Sequence, residues 1–367
     1  MKITENVPIS SITTMRLGGP ARFLIDIESK ADIPEAYNFA KSYNLPVFVL
    51  GGGANTIGRD EGFNGVIIRN AINNIERVTD MEGFPQSSRR EELREGNVRQ
   101  DPLYLKISGG TPWDDVVKYA CEHEYTGIEA LSKIPGLTGA APVQNIGAYG
   151  QDISQVFISA EVYDTTTGTF TTLDKDAMHF SYRKSILNTT EKGRYFVVSV
   201  TLSLKTGHME RPFYNSIEKY IDEHHETVFT PLNVRKMVSA IRKAKLPDPK
   251  EKASAGSFFK NIYLTDDEAT AAELKGLPVY RGKDGNKINS GWLIEQADLK
   301  GRLIHGIRVS PTAALVLINE SATSYTDLAI ARSIIIDQVY QKFGYRLEQE
   351  PMELVDHSAK ITSLLGN

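Results

Sequence analysis

Apolar residues at Ile33, Ala36, Tyr37, Ala40 and Tyr43 recur at helical spacing, and the run breaks at Asn44-Leu45-Pro46, where a helix must stop. Val47-Phe48-Val49-Leu50 follows as an unbroken apolar run ending in Gly51-Gly52-Gly53, the signature of a short buried strand. Gly65-Val66-Ile67-Ile68 predicts another. Leu103, Leu105 and Ile107 alternate with Tyr104, Lys106 and Ser108, as in a strand with one buried face. A helix is predicted next, with Thr111 as its N-cap, Pro112 at the first helical position, and Asp114 and Asp115 in the first turn.

The middle of the chain is strand-rich, from Ile158 to Tyr163 and from Tyr195 to Leu204. A second helix opens at Thr230-Pro231 and carries Val234, Met237, Val238 and Ile241 on one face. Its last turn is basic, with Arg242, Lys243 and Lys245, before Leu246-Pro247 ends it. A third helix runs from Asp327 to Phe343 and stops at Gly344. This mixture predicts an α+β chain, or α/β units fused to an antiparallel part. One segment departs from it: Asp80 to Asp101 is polar and rich in Glu and Arg, and reads as a solvated excursion between two strands.

Composition narrows the classes. The 367 residues are 41% hydrophobic and 24% charged, ordinary for globular protein. With 42 Lys+Arg against 46 Asp+Glu the net charge is −4, so nothing forces a basic face and nucleic acid is not an expected partner. The one cysteine, Cys121, cannot form an internal disulfide, which fits a reducing compartment. Met1-Lys2-Ile3-Thr4-Glu5-Asn6 lacks the apolar core of a signal peptide, and no apolar run approaches a membrane span. A cytoplasmic, soluble monomer without a membrane partner is expected.

Three stretches could carry chemistry. Gly51-Gly52-Gly53-Ala54-Asn55-Thr56 leaves a strand with three glycines, so backbone N–H groups can converge on a phosphate without Cβ obstruction. It is neither a Rossmann fingerprint nor a P-loop, since the third glycine position falls on Thr56 and no Lys-Ser/Thr pair follows. A tight structural turn is an equal reading. The run from Ile134 to Gly150 is dominated by small residues and suits close approach to something large and flat. Ala255-Gly256-Ser257-Phe258-Phe259-Lys260-Asn261 combines a hydroxyl, two aromatics, a cation and an amide, but lacks the nucleophile-elbow frame. By itself it could be a strand entering the core. His224-His225 lies among acidic residues and reads as helix surface; with no His-Glu-x-x-His and no paired cysteines, no metal is expected. Cys121, Trp113 and Trp292 read as packing residues.

Taken together, these stretches resemble the UDP-N-acetylenolpyruvoylglucosamine reductases. Thr13-Thr14-Met15-Arg16-Leu17-Gly18-Gly19-Pro20-Ala21 is similar to the family's opening motif, and the three stretches above follow in the family's order. So do Lys245-Leu246-Pro247-Asp248-Pro249, Gly291-Trp292-Leu293-Ile294-Glu295-Gln296 and Ala314-Leu315-Val316-Leu317-Ile318-Asn319. The resemblance spans Thr13 to Glu350. It implies an FAD-binding domain of the vanillyl-alcohol-oxidase type, made of two α/β subdomains at 1–75 and 76–225. An α+β substrate domain at 226–350 and a tail at 351–367 would follow. It also implies FAD and NADPH as cofactors and a UDP-sugar as substrate. The FAD pyrophosphate is expected over Gly51, Gly52, Gly53, Ala54 and Asn55. Pro135, Gly136, Gly139, Ala140, Gln144, Asn145, Gly147, Ala148 and Tyr149 are expected on the cofactor's other side. The family's proton-donating serine falls on Ser257, its catalytic glutamate on Glu350 and its active-site arginine on Arg183. Substrate positions fall on Lys245, Asn261 and Gln296, and the tyrosine of the branch with an inserted loop on Tyr214.

Two departures matter. The family pattern Glu-Pro-Glu-Val becomes Glu348-Gln349-Glu350-Pro351, which keeps both Glu348 and Glu350 as candidates. Ser310 stands where many members carry histidine, and no role is assigned to it. The chemistry suits the residues. Hydride addition to an electron-rich enol ether needs its carboxylate as electron sink; Arg183 can clamp that carboxylate and a protonated Glu350 can polarise it. A carbanion-like intermediate is basic enough to take a proton from a serine. Two alternatives stay open: another FAD-dependent oxidoreductase of the same cofactor fold, or an inactive UDP-sugar binding protein.

Overall fold

A computed structural model describes residues 1–78, 103–211, 213–282 and 285–355. The excursion Asp80 to Asp101 and the tail beyond residue 355 lie outside the described residues, but the strands that flank the excursion, Ile75–Val78 and Leu103–Ser108, pair antiparallel with each other. The helices are α1 (Asp32–Ser42), α2 (Trp113–Glu122), α3 (Asn215–His224), α4 (Pro231–Lys245), α5 (Asp266–Leu274), α6 (Ser290–Gln296) and α7 (Tyr325–Phe343).

The chain folds into two compact units that do not follow its linear order. One gathers residues 1–27, 34–69 and 242–367; the other holds 28–33 and 70–241. This differs from the division at 75, 225 and 350 expected from the sequence, because the amino-terminal strands share their core with the carboxy-terminal segment. Met15, Leu17 and Ile57 are buried in one cluster with Phe258, Phe259, Leu293, Leu317 and Ile335, and Leu354 is buried with Ile9, Leu24 and Ile67.

In the first unit a four-stranded sheet orders Lys2–Pro8, Pro20–Ile27, Phe63–Asn70 and Val47–Leu50, the last two parallel. A second sheet orders Ser254–Ser257, Val316–Asn319, Ile307–Val309 and Leu303–Ile304, antiparallel throughout. Met352–Leu354 adds in parallel to Thr56–Gly58.

In the second unit an antiparallel sheet orders Thr169–Asp174, Phe157–Asp164, Tyr195–Thr206, Leu103–Ser108 and Ile75–Val78. α2 covers its core through Trp113, Val116, Val117, Ala120 and Cys121. Burial pushes the Cys121 thiol up to about 12, which makes it an inert packing residue. The apolar face of α4 meets α3 through Phe213, Ile217 and Ile221.

The expected N-cap of α2 is not made. The Thr111 hydroxyl instead donates to the carbonyl of Asn74 and accepts from its N–H, so it joins a loop to the helix rather than capping the helix. Asp114 in the first turn is likewise engaged elsewhere. Its carboxylate takes two bonds from the buried Arg235 of α4, at 2.7 and 2.9 Å, and two from Lys133, at 2.7 and 2.9 Å. Burial alone would raise its pKa, but these donors hold it well below the usual carboxylate range. Asp114→Ala leaves the Arg235 charge buried without its partner, which costs about 3 kcal/mol. A urea midpoint equal to wild type would show that this clamp does not stabilise the unit.

Candidate active site

Ser257 ends the strand Ser254–Ser257, and the register slips there: Ser254 faces Ile318 while Ser257 faces Val316. Three steps on one strand oppose two on its partner, a bulge that re-aims the following side chain. Gly256 sits in it at φ 70°, where a side chain would be strained. On the other edge, the carboxy-terminal segment pairs with the residues just past Ser257. The N–H of Glu350 donates to Phe258 O and that of Lys260 to Glu348 O, both at 2.9 Å, with Gln349 opposite Phe259. Glu350 is therefore held one residue out of register from Ser257 on an adjacent strand. The Glu348 side chain is 73% exposed and ion-paired with Lys260. Of the two candidate glutamates, Glu350 is the half-buried one.

Thr14 ties this pair of strands to the first glycine-rich turn. Its N–H donates to Gly53 O at 3.0 Å, its hydroxyl to Ser254 O at 2.6 Å, and its carbonyl accepts from Ser254 N at 3.0 Å. A Cβ on Gly53 would stand 2.1 Å from Ile12 O, so only glycine lets these backbones approach. Asn55 O in turn accepts from Met352 N at 2.9 Å, two residues past Glu350. The turn is thus braced through two of its carbonyls.

Asn261 accepts from the N–H of Ser290 through its side-chain oxygen, and Lys260 O accepts from the Ser290 hydroxyl, so the N-terminus of α6 docks here. Gln296 lies exposed at the other end of α6, ~9 Å along the axis at 1.5 Å per residue, with its carbonyl bonded by Lys342. The hydrogen bonds do not bring it to the Ser257 strand. Lys245 ends α4, exposed, and its carbonyl accepts from the Thr312 hydroxyl at 2.9 Å. Ser310, given no role by the sequence, is buried and accepts from the N–H groups of Thr312 and Ala313, shaping the turn that holds Lys245.

The second unit assembles the other candidates. Pro135 and Gly136 precede a turn at Thr138–Ala140, anchored by bonds from Trp113 N to Gly136 O and from Gly139 N to Gly109 O. Asn145 bridges outward, donating to Ser181 O and accepting from Ser154 N. Gly147-Ala148 pairs with Gln151-Asp152, and Tyr149-Gly150 turns the corner with φ 51° and 84°, as a two-residue hairpin demands. Gln144 lies between these anchors. Arg183 occupies the tip of a turn closed by bonds between Ser181 and Lys184, at φ 56°, and its Nη2 donates to Gly147 O at 2.9 Å. The ring of Tyr214, which immediately precedes α3, meets Tyr149 edge-on at 5.9 Å. The expected arginine, the inserted-loop tyrosine and the small-residue run therefore come together in this unit.

Residues 21–174 match the FAD-binding domain family, and residues 248–354 match the UDP-N-acetylenolpyruvoylglucosamine reductase C-terminal domain. An FAD-binding domain joined to such a reductase domain defines a flavin-dependent oxidoreductase. The reductase from Paraburkholderia xenovorans is 34% identical over 94% of this chain and 96% of its own length, and that from Amoebophilus asiaticus 32% identical over 95% and 98%. The chain belongs to the UDP-N-acetylenolpyruvoylglucosamine reductase family. The crystal structure of the reductase from Thermus caldophilus shares its fold, with a TM-score of 0.64 at 22% identity over 97% of this chain and all of that one. The residues present fit FAD: in the Gly51 to Asn55 turn Gly53 takes φ 67° and admits no Cβ, the kind of bare, tightly turned backbone that can approach a pyrophosphate.

Sequence reasoning missed Thr14 as a hub and the ion cluster behind Glu350. Glu353 accepts from Arg59 at 2.5 and 3.0 Å, from Arg332 at 2.5 Å and from the Tyr325 hydroxyl at 2.8 Å. Burial alone would raise its pKa, but these donors lower it to about 2. A folded pKa below the unfolded value stabilises above the unfolded pKa of about 4.5, and that stability is lost as pH falls towards 2. Glu353→Gln should therefore melt below wild type near neutral pH, with the gap closing between pH 4.5 and 2; a gap constant with pH would remove Glu353 as its source. For the hub, Thr14→Val removes one hydrogen bond and leaves Ser254 O short of a donor, a loss of about 1–2 kcal/mol. Weaker FAD retention in gel filtration is expected, and full retention would disconnect Thr14 from the flavin turn.

Proposed function

We propose that the protein reduces UDP-N-acetylglucosamine enolpyruvate to UDP-N-acetylmuramate at the expense of NADPH, in the cytoplasmic stage of peptidoglycan synthesis. The observation that carries this reading is the pairing of the Ser257 strand with the Glu350 segment, which supports a proton donor and a carboxyl group serving one reaction. Bound FAD supplies the two-electron chemistry that links NADPH to the enolpyruvyl double bond.

The substrate's own carboxylate is the only electron sink in conjugation with that double bond. Arg183, steadied on Gly147 O, is suited to hold it by charge-assisted bonds that strengthen as negative charge builds. Glu350 in its protonated form donates to the same carboxylate and favours the enolate-like distribution of charge. Ser257 gives its hydroxyl proton to the neighbouring carbon, which is basic enough at that moment to take it. Tyr214, Lys245 and Asn261 are suited to the UDP portion: a ring at the mouth of the loop, a cation for the diphosphate, and an amide. The reading does not depend on Gln296.

The test separates two half-reactions. Flavin reduction by NADPH needs no proton delivered to carbon, whereas the step with enolpyruvyl substrate does. Ser257→Ala should bleach normally with NADPH yet fail to regain its yellow colour with substrate, by ~10²–10⁴-fold in rate. Reoxidation at the wild-type rate would assign the proton to another group.

A further inference from the structure

Glu350 is the candidate carboxyl group; Pro351 after it biases its backbone to extended conformations, but Gln349 before it brings no such restraint. What holds it is a set of bonds to residues on both sides. Arg332 of α7 donates through Nη1 to Gln349 Oε1 at 2.6 Å and to Glu353 Oε1 at 2.5 Å. Gln349 then turns its amide nitrogen back to Pro351 O at 2.7 Å. One guanidinium thus grips the residue before Glu350 and the residue three beyond it, and the Gln349 side chain closes over the peptide between.

The anchor itself is firm. Arg332 sits on a helix of 19 residues whose first turn is capped by Ser324 and Asp327. Its side chain is 22% exposed, and its partner Glu353 is shared with Arg59 and Tyr325. Glu353 stays ionised far below neutral pH, so the attachment does not loosen over any working range.

We propose that Arg332 is a positioning residue for Glu350, acting through Gln349 to fix the carboxyl group during reduction of the enolpyruvyl substrate. The proposal rests on the assignment of Glu350 made above. It is also specific about mechanism: what matters is restraint of the backbone at 349, not the charge of Arg332 near the substrate. The ladder bonds on either side of Gln349 use the N–H groups of Lys260 and Glu350, not its own. A proline at 349 would therefore break no ladder bond and would restrain the same backbone directly.

Four variants test this by stopped-flow measurement of the two half-reactions. Arg332→Met should leave flavin reduction by NADPH within twofold of wild type. Its rate of reoxidation by the enolpyruvyl substrate should fall by up to ~10²-fold, the effect of misplacing a reacting group by about an ångström. The loss should appear in the limiting rate rather than in the substrate concentration at half-saturation. Gln349→Ala, which spares the Arg332–Glu353–Arg59 cluster, should reproduce the defect without lowering the melting temperature, and carries the test alone if Arg332→Met does not fold. Gln349→Pro combined with Arg332→Met should recover at least tenfold of the lost rate, which a merely structural role for Arg332 would not allow. Wild-type reoxidation in Gln349→Ala, or equal slowing of both half-reactions, overturns the positioning role. Glu350→Gln is the control: if it is slow while Gln349→Ala is not, the proposal fails and the assignment of Glu350 stands; if Glu350→Gln reoxidises normally, both fall together.

Discussion

The first unit is tied together by the bonds that Thr14 makes with Gly53 and Ser254 through its N–H, hydroxyl and carbonyl. This residue lies on no regular element, yet it joins chain segments 39 and 240 residues away. Through Gly53 it sets the turn suited to the FAD pyrophosphate; through Ser254 it sets the strand that ends in Ser257. Each bond is worth about 1 kcal/mol by itself, so their value lies in registration. Two functional segments share one reference point, and neither can shift without straining the other. The Met352–Asn55 bond repeats the arrangement from the carboxy-terminal side, linking the same turn to the Glu350 segment.

The second unit solves a similar problem with conformation rather than with a hub. Asn145, Tyr149 and Arg183 all take left-handed backbone angles, uncommon for residues with side chains. Such angles persist when the surroundings over-determine them. Here the surroundings are identifiable: the two bonds of the Asn145 amide, the hairpin pairing at Ala148 and Gln151, and the closed turn from Ser181 to Lys184. The result aims an aromatic ring from a stretch of mostly small residues and an arginine from the turn at 181–184.

Legibility in the sequence followed the range of the forces involved. α1 and α4 were readable because their apolar faces repeat at 3.6 residues, and α7 was readable with its stop at Gly344. The strand entering the first glycine turn was readable from four consecutive apolar residues. α5 carried a local signal in Thr265 and Glu268, which form its capping box, but its face buries only alanines and shows little periodicity. Thr111 was misread because a threonine before a helix has two uses, and only the fold brings Asn74 close enough to claim the hydroxyl. The positions of Ser257, Arg183 and Glu350 came from motif order, not from pattern. Their supports were invisible. Arg332 and Glu353 look like ordinary surface charges until α7 and the last strand are set side by side, and nothing local distinguishes Glu350 from Glu348 until the fold leaves Glu348 exposed beside Lys260 and half-buries Glu350.

The interleaved order of the two units has a consequence for how the protein is made. Chains emerge from the ribosome amino terminus first, and domains fold as they appear. The second unit is continuous from residue 70 to 241, apart from a short piece at 28–33, and its sheet can close while synthesis continues. The first unit cannot. Its flavin turn is exposed early, but the strands that fix it, at Ser254 and Met352, arrive some 200 and 300 residues later. The turn is therefore fixed only near the end of translation, after the segments of the second unit have all been made.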